Sequence, residues 1–175
     1  MNADFATQRS AMIDSQLRTV GVNEPDVLAA VAAVPRERFV PAARAALAYV
    51  DGAVALGGGR SMVEPMILGL LLTHLRIAPG EKVLIVGAAT GYSAAVVAEL
   101  TPHVTALECD GALAAHARSA GINVVEGPLA AGWAAGAPYD VLLIDGAVPA
   151  LSAALTAQLR DGGRVGMVLI GEDGV

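Results

Sequence analysis

The chain has a single cysteine, Cys109, in 175 residues. That excludes an intramolecular disulfide framework and any paired-cysteine redox motif, and it points to a reduced, cytoplasmic setting. Aromatic residues make up 3% and charged residues 16%, whereas alanine, valine, leucine and glycine are plentiful. Such a mix suits a compact α/β protein and argues against disorder. Lys and Arg number 11 against 17 Asp and Glu, for a net charge of −6, so the clustered basic face of a broad nucleic-acid binder is not expected. The longest apolar stretch, around Ile67 to Leu72, is far too short to span a bilayer. The N-terminus carries Asp4 and Arg9 without the apolar core of a signal peptide. His74, His103 and His116 show no metal-ligand spacing, alone or with Cys109. A soluble protein without a metal, a membrane or a nucleic-acid partner is expected, with its oligomeric state open.

At this length one domain with a sizeable core is expected. Residues 1–78 read as a helical and loop extension, and residues 79–175 as an α/β core. A first helix is expected over 4–18, where Phe5, Met12, Ile13 and Leu17 share a face. Asn23 is positioned to cap a second helix whose first turn holds Glu24, Pro25 and Asp26, and Pro35 stops it. Gly57-Gly58-Gly59 reads as irregular, and Glu64-Pro65 opens a third helix to Leu75. Pro79-Gly80 is a turn. Beyond Lys82 the pattern alternates between strands (Val83–Val86, Val104–Leu107, Ile122–Val125, Val141–Ile144, Val165–Ile170) and helices near 92–100, 111–120 and 149–159. Alternation of this kind predicts a doubly wound, mostly parallel sheet with helices on both faces. Gly171-Glu172-Asp173-Gly174 reads as a turn, with Val175 starting a further strand.

The most informative stretch is Lys82 to Tyr92. An apolar run, Val83–Val86, meets a turn bracketed by Gly87 and Gly91, and a helical pattern follows. A buried parallel strand is apolar throughout because both of its faces are covered. Glycine at the strand-to-helix turn lets the backbone approach a ligand closely. A second apolar segment ends in Glu108, about 20 residues past the turn, where nucleotide-binding α/β folds hold a ribose hydroxyl. Together these features point to an adenosine-containing cofactor. Two plainer readings stand beside it: Gly87 and Gly91 as ordinary turn glycines, and Glu108 as a helix N-terminal charge near Asp110. The turn lacks a full G-x-G-x-x-G pattern and no catalytic Tyr–Lys or His pair is visible, which disfavours a nicotinamide-dependent oxidoreductase.

Several segments, in chain order, resemble the protein-L-isoaspartate O-methyltransferase family, which uses S-adenosylmethionine. They are Val34-Pro35-Arg36-Glu37-Arg38-Phe39-Val40-Pro41, Ala48-Tyr49-Val50-Asp51, the Gly59-to-Pro65 loop, the Gly87–Gly91 turn, and Gln158-Leu159 before Gly162-Gly163-Arg164. The first block is the most specific. The resemblance implies a Rossmann-like methyltransferase fold, with isoaspartyl-containing proteins or peptides as methyl acceptors. It assigns Gly87, Ala88, Gly91, Glu108 and Gly127 to the cofactor, and Ser61 and Pro65 to the substrate loop. The family's chains continue with an antiparallel hairpin at the sheet edge, so the resemblance implies that this chain lacks its last edge strands.

Four departures fall where chemistry is expected. The family's loop typically reads G-Q-T-I-S-Q-P; here it runs Gly59-Arg60-Ser61-Met62-Val63-Glu64-Pro65, so Val63 replaces the serine and the catalytic residue is left unassigned. Ile85 stands where the family carries an acid, and Ala89 where it carries a central glycine. The later G-D-G motif reads Gly127-Pro128-Leu129. These departures motivate an alternative reading, a noncatalytic methyltransferase-fold module with weakened cofactor binding. Asp145 is an addition of this chain at a strand's carboxyl end, expected either to cap the turn at Gly146 or to repel an incoming carboxylate unless a cation such as Arg60 compensates. Arg36, Glu37 and Arg38 read as a solvated, mutually paired cluster. Cys109 reads as a pocket-lining residue, and Trp133 as either a substrate-side or a core residue.

Overall fold

The computed structural model describes residues 4–171. Five strands form one sheet in the order β5-β4-β3-β6-β7, every neighbouring pair parallel. They are β3 (Val83–Val86), β4 (Val104–Glu108), β5 (Val124–Glu126), β6 (Tyr139–Val148) and β7 (Leu159–Leu169). The chain winds outward from β3 through β4 to β5, then jumps back to the other side of β3 for β6. This reversal opens a crevice at the carboxyl ends of β3 and its neighbours, where open α/β sheets bind ligands.

Side chains alternate between two cores, as the period of a strand requires. On β3 and β6, Val83, Ile85, Val141 and Leu143 face one side. Leu84, Val86, Leu142 and Ile144 face the other. The first face is covered by α2 (Pro25–Ala33), α3 (Pro65–Leu75), α4 (Tyr92–Ala98) and α5 (Gly111–Ser119), and it shares one continuous core with the N-terminal extension from Met12 to Ile77. The second face is covered more thinly, by α6 (Ala153–Thr156), the 3-10 turn Leu129–Ala131 and Trp133. None of the helices in the described residues is long and apolar enough to cross a membrane.

Several expectations are corrected. The first helix, expected over 4–18, is one continuous run of changing type: α1 (Phe5–Met12) passes through a π turn, Ile13–Leu17, into a 3-10 turn ending at Val20. Glu24, not Asn23, occupies the cap position of α2, and its carboxylate accepts from Thr73 Oγ1 and from the Asn23 amide. Gly57-Gly58-Gly59, expected to be irregular, is the bulged tip of an antiparallel hairpin between β1 (Val54–Gly57) and β2 (Arg60–Met62). All three glycines have positive φ, a conformation strained for other residues. The helix expected over 149–159 shrinks to the four residues of α6, because Leu159 and Arg164 pair with β6, with residues 160–163 bulged between them, and so extend β7 backwards through Gly162-Gly163. Glu81 anchors this edge through Arg164, at 2.5 Å. The turn and strand start expected over 172–175 lie outside the described residues.

Candidate functional site

The carboxyl ends of β3 and β6 bring Gly87 and Asp145 to a cleft of about 390 Å3, and Arg60 on its wall pairs with Glu108 at the end of β4. Its lining is mostly apolar, including Leu129, Ile144, Val148 and Leu155, and its charged members are Arg60 and Asp145. Of the residues assigned to the cofactor from the sequence, Gly87 alone lines this cleft. A methyl built on Gly87 would lie 3.5 Å from the Asp145 carbonyl and 3.7 Å from an Arg60 nitrogen, so a side chain there would narrow the floor.

Glu108 ends β4 with no exposed surface. Its Oε1 accepts from Arg60 Nη1 at 2.8 Å and from the amides of Cys109 and Asp110 at 2.8 and 3.0 Å. Its Oε2 accepts from Arg60 Nη2 at 2.9 Å and from the Ala89 amide at 2.7 Å. Burial alone would raise its pKa, but the Arg60 guanidinium and the three amides outweigh that and hold it at about 2. Arg60 in turn is raised above its ordinary value, chiefly by the hydrogen bonds to Glu108. Asp110 caps α5 with its own carboxylate, and Glu108 accepts the Cys109 and Asp110 amides just before it, so the helix-charge reading stands beside the ribose reading.

The turn itself keeps its amides at home. Gly87 and Ala88 both donate to the Leu107 carbonyl, Ala89 to Glu108, and Gly91 to the Ala88 carbonyl. A pyrophosphate needs such amides free, so the turn suits a cofactor without phosphates. Ala89 holds φ +50, the left-handed conformation its glycine counterpart would adopt without strain. Gly91 has φ +93, and a methyl there would meet Ala117 and Ile122 at 3.0 Å. The left-handed φ and the close approach of Ala117 and Ile122 both demand glycine at 91. Gly127 stands beside Glu108, its amide donating to the Glu108 carbonyl at 3.1 Å, and Pro128 then starts the 3-10 turn that delivers Leu129 to the cleft.

Asp145 does not cap the turn at Gly146. Its carboxyl takes the hydroxyl hydrogen of Ser93 on α4. Burial raises it to about 6, against the lowering influence of Ser93, Arg36 and Arg60. Ile85 lies in the core beneath, fully buried and apolar. Cys109 is exposed, with Arg60 Nη1 4.0 Å from its sulfur. Trp133 belongs to the second core, and its amide donates to Gln158 Oε1 at 2.8 Å. Among the described residues no three His, Cys, Asp or Glu gather as a metal site.

The Arg36–Arg38 segment is not a solvated cluster. Arg36 is fully buried, with its guanidinium 4.6 Å from the Tyr92 ring centroid. Glu37 instead joins Arg9 and Tyr49, and the Arg38 carbonyl is paired with His116. The signal for Arg36 was present in the sequence, since it lies three residues before Phe39 in one 3-10 turn and so shares its inward face. On the substrate loop, Ser61 is exposed on β2, Val63 is half-buried and Pro65 is buried at the start of α3. None of the three lines the cleft; the hairpin reaches it through Arg60.

A family model described as protein-L-isoaspartate(D-aspartate) O-methyltransferase matches residues 7–174. Over 170 residues the chain is 39% identical to protein-L-isoaspartate O-methyltransferase 1 of Rhodopseudomonas palustris (strain HaA2), covering 93% of this chain and 69% of that relative. It is 42% identical over 172 residues to a protein-L-isoaspartate O-methyltransferase of Herpetosiphon aurantiacus, covering 94% and 77%. A solved protein-L-isoaspartate O-methyltransferase superposes with TM-score 0.77 at 24% identity over 92% of this chain, which spans about half of that longer one, 55%. A Plasmodium falciparum structure, named as a beta-aspartate methyltransferase in complex with S-adenosyl-L-homocysteine, superposes with TM-score 0.79 at 17% identity, covering 94% and 85%. At these identities the two structures speak to the fold alone.

Proposed function

The chain belongs to the protein-L-isoaspartate O-methyltransferase family, and from that membership we propose that it methylates the carboxylate of isoaspartyl residues in damaged proteins and peptides. The family is one of S-adenosylmethionine-dependent enzymes, so reaction class and cofactor come with membership. The observation that carries the reading to this chain is the meeting of Gly87, Glu108 and an apolar cleft at the reversal of strand order. These residues fit the cofactor. The glycine floor leaves room for it, Glu108 would take the ribose diol once Arg60 has left its carboxylate, and Leu129 and Ile144 would offer apolar cover to its base.

Bound S-adenosylmethionine supplies a methyl group on a positively charged sulfur. An acceptor carboxylate is ionised at neutral pH and needs no general base. Transfer of that methyl to the oxygen would leave the sulfur as a neutral thioether and would ask no residue of this chain to move a proton. What the chain must do is place that oxygen in line and exclude water. Arg36 contributes by fixing the Val63 carbonyl and with it the loop leading into α3. No observation in the structure favours the noncatalytic alternative.

The test is methyl transfer to an isoaspartyl peptide compared with its aspartyl twin. Transfer to the first and not the second is expected. Equal transfer to both, or none with cofactor bound, would reject this acceptor.

A further inference from the structure

Arg60 lies across the seat proposed above for the cofactor. Its two terminal nitrogens bind both oxygens of Glu108, and Nη2 also donates to the Gly87 carbonyl at 3.3 Å. One side chain thus lies across the glycine floor and the ribose seat together. Glu108 already receives five N–H donors, two from Arg60 and one each from Ala89, Cys109 and Asp110. A carboxylate offers roughly four lone-pair positions, so no acceptor is left for a diol. The three amides belong to the turn and to the start of α5 and cannot leave without unfolding it. The guanidinium, with 27% of its side chain exposed, can.

Where the displaced guanidinium goes follows from its chemistry and its mounting. It keeps its charge under all ordinary conditions. It is carried by the first residue of β2, just past Gly57-Gly58-Gly59, and a methyl built on any of these glycines would find no atom within 4 Å. The hairpin tip therefore has open space around it. Asp145, the other charged group of the cleft, stands on the same side and would repel an acceptor carboxylate unless a cation offset it. An Arg60 released from Glu108 is that cation.

Building on the acceptor proposed above, we propose that Arg60 serves two carboxylates in turn. It holds Glu108 while the cofactor seat is free, and it turns to the acceptor carboxylate once the cofactor has displaced it. Cofactor binding then precedes acceptor binding and strengthens it, and by linkage the acceptor strengthens cofactor binding equally. Arg60 acts here as a positioning residue, with Ser61 to Pro65 following it along the same loop.

The experiment is calorimetric titration of the full chain, using S-adenosylhomocysteine as an unreactive occupant and an isoaspartyl peptide as acceptor. Arg60→Gln is expected to bind S-adenosylhomocysteine about tenfold more tightly than the natural chain, because the binding-competent state no longer competes with the ion pair. Arg60→Lys, which can make only one of the two bonds, should fall between them and serves as the second variant if Arg60→Gln does not fold. The natural chain should bind the peptide at least about fivefold more tightly with S-adenosylhomocysteine present, and Arg60→Gln should show no such difference. Equal or weaker S-adenosylhomocysteine binding in both variants would overturn the displacement. Peptide binding that ignores S-adenosylhomocysteine in the natural chain would overturn the coupling. Tighter S-adenosylhomocysteine binding by the variants, with no peptide bound under any condition, would support the displacement and reject the isoaspartyl acceptor instead.

Discussion

Arg36 donates from Nη2 to the Val63 carbonyl at 2.6 Å and from Nε to the Ala48 carbonyl at 2.8 Å. A buried guanidinium thereby ties the helical extension to the loop that enters α3. Burial lowers its pKa, and the hydroxyls of Tyr92 and Tyr49 and the carboxyl of Asp145 work against that. Replacement by methionine keeps much of the volume but leaves two covered carbonyls unpaired, each worth about 1–3 kcal/mol. Arg36→Met should therefore lose about 2–4 kcal/mol in urea unfolding. A midpoint within error of the natural chain would mean that water replaces the side chain at both carbonyls.

The second prediction concerns Ala89, whose φ of +50 places it in the left-handed region. Ala89→Gly relieves that strain, worth about 1–2 kcal/mol, against a smaller loss from the greater freedom of glycine when unfolded. A net gain of roughly 0.5–1 kcal/mol in unfolding free energy is expected. The same change removes a methyl beside the cofactor floor, so S-adenosylhomocysteine should bind more tightly as well. Stabilisation without tighter binding would place the methyl outside the ligand's path.

How much of this was legible in the sequence depends on how local the cause was. The strand Val83–Val86 was readable because burial on both faces demands an apolar run, and Glu108 because its distance from the turn is set by one helix and one strand. The hairpin was not, since its strands are four and three residues long and its tip is glycine. The overlong helix at 149–159 had good local propensity, but pairing with β6 took Leu159 into the sheet edge. The Arg60–Glu108 pair joins residues 48 positions apart, and no periodicity connects them. The same holds for Ser93 and Asp145, 52 apart.

Asp145 yields a prediction in pH. Burial raises its pKa from 3.8 to about 6, so at intermediate pH the folded chain keeps a proton that the unfolded chain has released. Stability from this group is fully present below about pH 4 and is lost as pH rises through about 6. Glu108 runs the other way: it is held at about 2, and its contribution, present above 4.5, is lost as pH falls through about 2. Asp145→Asn keeps an acceptor for the Ser93 hydroxyl and does not titrate. Relative to the natural chain, this variant should gain about 1–3 kcal/mol between pH 4 and 7, after discounting for partial exposure. A difference that stays constant across that range would show that Asp145 ionises as it does in the unfolded chain.

The last prediction concerns Val63, which stands where the family carries serine. Its side chain is half-buried against the first core and its carbonyl is fixed by Arg36, so Val63→Ser changes the side chain on a backbone already held in place. Losing the apolar contact should destabilise the chain by roughly 1 kcal/mol, a change thermal unfolding can read. If a hydroxyl here orients the acceptor carboxylate, methyl transfer to an isoaspartyl peptide should rise by about tenfold or more, since a small misplacement of the reacting oxygen can cost on the order of a hundredfold in rate. S-adenosylhomocysteine affinity should stay the same, because Val63 does not line the cleft that holds Gly87 and Asp145. Initial rates at saturating cofactor, with affinity measured in parallel, separate orientation from binding. A rate unchanged from the natural chain, with the variant folded and binding normally, would assign acceptor placement to Arg60 and the loop backbone instead of to the residue at 63.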